Sequence, residues 1–287
     1  MPAKILLCLD TDPQPSVFDS VVAIDSGAEH LLRHSGVRPQ DVEGLVHGAM
    51  FTRGPADLKN TAVFIGGSNV PKAEALLAAA TQCFFGPIRV SVMLDPNGAN
   101  TTAAAAVLAA ARHVELQGDI TAAIVGTGPV GQRAALMLAM EGVRVRLVSR
   151  SEARARQACD LLTASIDGGQ FIPFGSTERP LAEALSDAKV LIACGPAGVQ
   201  VLDNKTLSEG ELLRVVIDLN AAPPAGVEGM EVMDKAVQRG EQVHYGAIGV
   251  GGDKMKIHKA AIGRLFKSND AVLDAAEIYT LGKSIVE

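Results

Sequence analysis

The sequence has no tryptophan, and Phe, Trp and Tyr together make up only 3% of it. So few rings leave little for stacking on bases. Lys plus Arg number 26 against 32 Asp plus Glu, a formal net charge of −6, so no basic surplus exists to neutralise a phosphate backbone. Nucleic acid is therefore not expected as a partner. Charged residues are also few, 20% against 48% hydrophobic, which excludes a disordered, self-repelling chain. The four cysteines, Cys8, Cys83, Cys159 and Cys194, stand too far apart for a metal-type pair or a disulfide framework, and are expected to be buried small hydrophobes. Long apolar runs are missing as well. The first, Ile5 to Leu9, is too short for a secretion signal, and Arg133 interrupts the stretch from Thr121 to Met140, so nothing reaches the ~18 residues of a spanning helix. A cytoplasmic protein without a membrane partner is expected.

What is present is a chain of 287 residues, long enough at roughly 150 residues per domain for two domains or one large α/β unit. Apolar runs at Lys4 to Leu9, Thr61 to Ile65 and Ile88 to Leu94 read as strands separated by helical segments. Ser16 with Asp19 three residues on marks a helix start, followed by Val17, Val21, Ile24, Ala28 and Leu31 at helical spacing. Further helices are expected over Pro71 to Cys83 and, Ala-rich, from Asn100 to about Glu115. From Ile120 the pattern restarts. Ala122 to Val125, Val143 to Val148, Phe171 to Pro173, Val190 to Ala193 and Val215 to Leu219 read as short buried strands of a parallel, doubly wound sheet. The chain closes with two helices, Asp253 to Phe266 and Ala271 to Ile285, split by Ser268-Asn269-Asp270 and followed by no strand. The expected fold is α/β with two domains: a smaller parallel α/β domain of residues 1–115 completed by the helices of 253–287, and a Rossmann-type domain of residues 116–252.

The most informative motif follows the strand TAAIV: Gly126-Thr127-Gly128-Pro129-Val130-Gly131, then a helical run and a second strand near Val143. That context makes a GxGxxG turn a dinucleotide site. Gly126 permits the tight turn, Gly128 lets a pyrophosphate approach the backbone, and Gly131 allows helix and strand to pack closely. The helix N-terminus supplies N–H groups to the phosphates. At the tip of the second strand, where an acid would hold the ribose of NAD, stand Ser149, Arg150 and Ser151. An arginine flanked by hydroxyls favours the 2′-phosphate of NADP, with NAD as the weaker alternative in which Glu152 takes part.

A resemblance names the substrate. The strings CLDTDPQPSVFD (8–19), FTRG (51–54), FIGG (64–67), FFGPIRVSVMLDPNGANTTAAA (84–105), GTGPVG (126–131), DLNAAPPAGVEG (218–229) and GAIGVGGDKMKIHKAAI (246–262) span almost the whole chain. Together they closely resemble the NADP-dependent methylene-tetrahydromethanopterin dehydrogenases of methylotrophic bacteria. The resemblance implies oxidation of the methylene bridge of a pterin-type one-carbon carrier to the methenyl form, in formaldehyde oxidation. It also implies a substrate domain at 1–115 with 253–287, an active site in the cleft beside the cofactor domain, and a homo-oligomer. A methylene-tetrahydrofolate dehydrogenase and a non-catalytic NADP-binding sensor are the competing readings.

On this resemblance Asp19, Arg53, Asp95, Asn97, Asn100, Thr101 and Thr102 become substrate contacts, although Asp95 to Gly98 also reads as a turn, with Asn100 or Thr101 as a helix cap. Lys254 and Lys256, two positions apart, cannot share a helix face. Lys256 is taken as the catalytic lysine and Lys254 as a substrate contact, without settling which faces the cleft. A cationic lysine beside a forming cation would oppose hydride loss, so the expected role of Lys256 is to hydrogen-bond and fix the pterin ring. Asp218 and Asn220 are expected to line the nicotinamide pocket, and Cys194 with Gly195 to run under the ribose. No metal is expected. His30, His34, His47, His113, His244 and His258 show no ligand spacing and read as surface or helix-end residues.

Overall fold

The computed structural model describes residues 2–286. Its strands, in chain order, are β1 (Ile5–Asp10), β2 (His30–His34), β3 (Thr61–Gly66), β4 (Ser91–Leu94), β5 (Thr121–Val125), β6 (Arg144–Ser149), β7 (Phe171–Gly175), β8 (Ala188–Ala193), β9 (Val215–Asp218), β10 (Val237–Arg239), β11 (Gln242–Tyr245) and β12 (Val272–Leu273). The helices are α1 (Val17–Asp25), α2 (Pro39–Met50), α3 (Val70–Gln82), α4 (Ala99–Ala111), α5 (Pro129–Met140), α6 (Glu152–Ser165), α7 (Leu181–Leu185), α8 (Asn204–Ser208), α9 (Ala247–Leu265) and α10 (Ala275–Lys283). Two compact units result: residues up to 101 together with 255–285, and residues 102–254. Both boundaries fall inside helices, α4 and α9.

The first unit holds a five-stranded sheet in the order β12-β4-β3-β1-β2, every pair parallel. Its central strands are continuous apolar runs; Leu6, Leu9, Val63, Ile65, Val92 and Leu94 are almost completely buried. That is the composition of strands covered on both faces by helices. The second unit holds a seven-stranded sheet in the order β10-β11-β9-β8-β5-β6-β7, parallel except for the antiparallel β10–β11 hairpin. Read outward from β5, β6 and β7 run one way and β8, β9 and β11 the other, which is the strand order of a Rossmann domain. In each sheet the direction of winding reverses once, between β1 and β3 in the first and between β5 and β8 in the second. Loops there splay apart at the carboxyl ends of the strands, and ligands bind in the crevice left.

Five segments depart from the sequence expectations. The helix begun at Ser16, whose side chain accepts from the Asp19 N–H at 3.1 Å, ends at Asp25 instead of continuing through Leu31. Gly27 turns the chain with φ +96, and Leu31 enters the edge strand β2, too exposed to carry an apolar run. Helix α2 and the β10–β11 hairpin had no counterpart in the expectations. Helix α9 begins at Ala247, six residues before Asp253. Its Gly-rich start is set by packing rather than flexibility, since a Cβ on Gly249 would collide with the Asp234 carbonyl. Finally, Val272 and Leu273 are not helical: they pair in parallel with Val92 and Met93, and Asp274 with Glu277 forms the capping box that starts α10. Among the described residues no helix is long and apolar enough to cross a membrane.

Candidate functional site

Strand β5 runs straight into the glycine turn, and α5 begins at Pro129 with Gly128 as its cap. Gly126 has φ +127, and a Cβ there would collide with the carbonyl of Cys194; a Cβ on Gly131 would collide with the carbonyl oxygen of Gly126. Gly128 differs, because no protein atom lies within 4 Å of where its Cβ would stand. Two glycines therefore serve the packing of the turn, and the third leaves the helix N-terminus open to a ligand. In front of it lies a cavity of about 600 Å³. It is walled by Gly126, Thr127, Gly128 and Pro129 of the turn, Ser149 and Arg150 at the tip of β6, and Cys194 and Gly195 beyond β8. These are eight of the expected cofactor residues, brought together at the switch point. Val130, Gly131 and Ser151 flank the wall without lining it. Two further lining residues, Arg154 in the first turn of α6 and Ser176 just beyond β7, stand outside every motif of the sequence.

Glu152, the acid that would have favoured NAD, does not line the cavity. Its carboxylate pairs with Arg156 at 2.7 Å and Arg179 at 3.4 Å. The Cys194 thiol donates to the Gly126 carbonyl at 3.6 Å, and burial, with Asp218 nearby, pushes it up to about 12. It is a protonated wall and not a nucleophile. Cys8 and Cys159 are buried, whereas Cys83 and Cys194 are half-buried.

Asp218 and Asn220 were expected at this cavity and are not brought to it. They line a separate cavity of about 210 Å³ with Ala221, Ala222, Pro223 and Gly246. Both side chains are occupied by backbone there. Asp218 accepts from the N–H groups of Asn220 and Val227, each at 3.0 Å. Asn220 accepts from Gly198 at 3.2 Å and Ala222 at 3.1 Å and donates to the Pro224 carbonyl at 3.0 Å. The pair clamps the loop after β9, which contains the cis bond Pro223-Pro224.

In the first unit the carboxyl ends of β1 and β3 carry an acidic, hydroxyl-rich rim. Asp10 accepts from the N–H of Asp12 at 2.8 Å and of Ser16 at 3.1 Å, and Asp12 accepts from the N–H and hydroxyl of Ser68, both at 2.9 Å. Asp19 reaches the same place and borders a small pocket with Asp10, Ser16, Phe64 and Gly66. Asp95, from the next strand end, is completely buried. It accepts from the N–H of Asn100 at 2.9 Å, the N–H of Thr101 at 3.1 Å and the Thr101 hydroxyl at 2.6 Å. Asn100, also buried, donates to the Leu94 carbonyl at 2.7 Å and to Asp274 at 3.0 Å. The cap reading of this loop is thus realised by Asp95, Asn100 and Thr101. Asn97, with φ 54, is exposed and Thr102 half-buried. Arg53 is elsewhere: its guanidinium donates to the carbonyl of Ala3 at 2.8 Å, before β1 begins and so at the amino ends of the strands.

On α9, Lys254 is half-buried and Lys256 exposed. The histidine that ends their string is the larger correction. His258 is completely buried, stacked on Phe64 with ring centroids 5.8 Å apart, edge-on to Phe18 at 6.2 Å, and with Nδ1 3.5 Å from Asp95. His244 is buried too, on β11, with Nδ1 2.9 Å from Arg239 and Nε2 3.1 Å from Gln242. Burial, with Arg239 beside it, pushes His244 down to about 4. Neither is a surface histidine. Among the described residues no group of three His, Cys, Asp or Glu is placed to hold a metal ion.

Known proteins resemble this chain in sequence and fold. Residues 17–97 match the family model described as methylene-tetrahydromethanopterin dehydrogenase, N-terminal. The chain is 38% identical over 287 residues to the bifunctional protein MdtA of Methylorubrum extorquens, covering 99% of this chain and 100% of that one. It is 33% identical over 298 residues to the NAD(P)-dependent methylenetetrahydromethanopterin dehydrogenase of the same organism, covering 99% of each. The chain belongs to the methylene-tetrahydromethanopterin dehydrogenase family. Within this family member, residues 119–160 also match a model described as an FAD binding domain. That segment is β5, the glycine turn, α5, β6 and the start of α6, the part that dinucleotide-binding domains have in common. A shikimate 5-dehydrogenase from Mycobacterium fortuitum superposes with a TM-score of 0.52 at 16% identity over 98% of both chains, a likeness of fold alone.

Proposed function

We propose that this chain transfers a hydride from the methylene bridge of 5,10-methylene-tetrahydromethanopterin to NADP, giving the methenyl form in one-carbon oxidation. The observation that carries this is the glycine turn with an open Gly128 facing a cavity of about 600 Å³, in a chain whose other unit contains the whole of the matched N-terminal family region. The residues fit the group: an open helix N-terminus for the pyrophosphate and guanidinium groups at the tip of β6. NADP, when bound, supplies the nicotinamide carbon that accepts the hydride. The chain's own work is binding and alignment. Loss of the hydride leaves a cation spread over the two nitrogens that flank the carbon, so no side chain has to move a proton.

Alignment of two reacting carbons can account for ~7 to 11 kcal/mol of a barrier in favourable cases. We assign the dinucleotide to residues 102–254 and the pterin carrier to the first unit, with Lys256 fixing the ring and Asp19 and the neighbouring rim holding its polar groups. Asp95, Asn100 and Thr101 act from beneath, by holding the start of α4. A cytoplasmic homo-oligomer fits this reading. The exposed apolar stripe Val17, Val21 and Ile24 on α1 supports self-association, which light scattering would detect. The test of function crosses two coenzymes with methylene-tetrahydromethanopterin and methylene-tetrahydrofolate while reduced nicotinamide is followed by absorbance. Turnover with the methanopterin carrier is expected. Turnover with the folate carrier alone would move the assignment, and binding of NADP without any turnover would make the protein a sensor.

A further inference from the structure

One turn of α9 breaks the pattern of its own helix. From Met255 onward α9 belongs to the first unit, and its inward stripe is Ile257, Ala261, Ile262 and Leu265, all buried. His258 stands within that stripe and is completely buried as well. An imidazole taken out of water costs free energy unless its nitrogens face polar groups, and a leucine would fill the same stripe without that cost. Nδ1 faces Asp95, itself completely buried, with Oδ2 3.5 Å away. A bare lone pair would be repelled by a carboxylate, so Nδ1 is the nitrogen that carries a proton. The same carboxylate accepts from Asn100 and Thr101 at the start of α4. One buried acid is therefore shared by α4 and α9.

We propose that His258 is a positioning residue for Lys256: with Nδ1–H turned to Asp95, it fixes the turn of α9 that carries Lys256 at the strand ends where the pterin carrier is held. The inference rests on the reading that Lys256 fixes that ring. Residues two apart lie on nearly opposite sides of a helix, so anchoring His258 inward leaves Lys256 exposed, as observed. Two further rings meet the imidazole. It stacks on Phe64 with the planes 21° apart, and Phe18, one residue before Asp19, meets it edge-on. Gly66 leaves room for this convergence, since a Cβ there would stand 3.1 Å from the Phe64 ring and 3.6 Å from the Asp19 carboxylate. His258 thus meets α1, β3 and the loop after β4 at once, and a tilt of α9 would move Lys256 relative to all three. A second polar tie of this helix, Lys259 to Asp25 at 3.0 Å, is exposed and contributes little.

Single-turnover hydride transfer from methylene-tetrahydromethanopterin to NADP, with a melting temperature for each protein, tests this. His258→Phe keeps a ring on Phe64 and removes Nδ1, whereas His258→Asn removes the ring and keeps an N–H near the place of Nδ1. Positioning through Asp95 predicts transfer slower by about tenfold to a hundredfold in the Phe variant, a rate near wild type in the Asn variant, and unchanged NADPH affinity in both. A role in packing alone predicts the reverse order, with the Asn variant slower and less stable, and that order overturns the proposal. In a Lys256→Ala background His258→Phe should slow transfer by no more than about twofold, because the group it positions is gone. A full further loss overturns action through Lys256. Lys256→Ala without effect, or wild-type protein without transfer, overturns the underlying reading instead. Where a variant does not fold, the wild type decides: long-range proton–nitrogen correlation spectra of the assigned protein should show a protonated Nδ1 on His258, and a bare Nδ1 overturns the contact.

Discussion

At the scale of single residues, the three glycines of one turn make opposite demands, and substitution separates them. A Cβ at Gly131 has nowhere to go, because the carbonyl of Gly126 and the sulfur of Cys194 already occupy its place. Gly131→Ala is expected to cost about 1 to 3 kcal/mol of stability, as overpacked sites do, and to lower dinucleotide affinity through a displaced turn. Gly128→Val meets no protein atom near its Cβ, so the folded protein should keep its melting temperature and lose dinucleotide binding outright. Thermal unfolding and NADPH titration on the two variants check the pair. A Gly128→Val protein that still binds NADPH normally would remove this turn from the site.

At the scale of elements, buried strands and capped helices were legible because their cause is local: TAVFIG and TAAIV are continuous apolar runs, and Ser16 caps α1 through its own third neighbour. The illegible elements owe their existence to distant partners. Strand β12 is two residues held by β4, 180 positions earlier in the chain, and the start of α9 depends on the backbone at Asp234 passing against Gly249. The β10–β11 hairpin is of the same kind, and it carries a titration. His244 accepts from Arg239 and donates to Gln242, an arrangement only the neutral ring can make. Its pKa in the fold is about 4 against an ordinary 6.5, so the unfolded chain takes up a proton first as the pH falls. The stability this residue contributes is complete above pH 6.5 and drains away between 6.5 and about 4, at up to about 1.4 kcal/mol for each unit. Denaturant unfolding at a series of pH values should show a steeper acid loss in the wild type than in His244→Gln. Parallel curves would mean that the ring is solvated and titrates normally.

At the scale of the whole molecule, the large cavity was readable because the glycine turn that opens it is contiguous in sequence, whereas Arg154 and Ser176 join its wall only through the packing of α6 and β7. The residues proposed to hold the substrate were harder to read, because a polar residue at a strand end serves a ligand or a helix equally well in one dimension. Burial differs among these residues: Asp95, Asn100 and Thr101 are inside, whereas Asp19 and Lys256 retain access to solvent. The division of labour gives the last prediction. Lys256 belongs to the first unit and every lining residue of the large cavity to the second, so Lys256→Ala should leave NADPH affinity unchanged. If Lys256 fixes the pterin, its loss misaligns donor and acceptor carbons, and small misplacements can cost on the order of 10² in rate. Single-turnover hydride transfer in the variant should therefore be slower by about that factor. The pH profile should keep its shape, since a lysine that only positions removes no titrating step when it is deleted. Measured on both proteins over the same pH range, an undiminished rate would take Lys256 out of the site. A titration present in the wild type and absent from the variant would instead make it a proton carrier, and a parallel fall in NADPH affinity would show that one unit does not hold the coenzyme by itself.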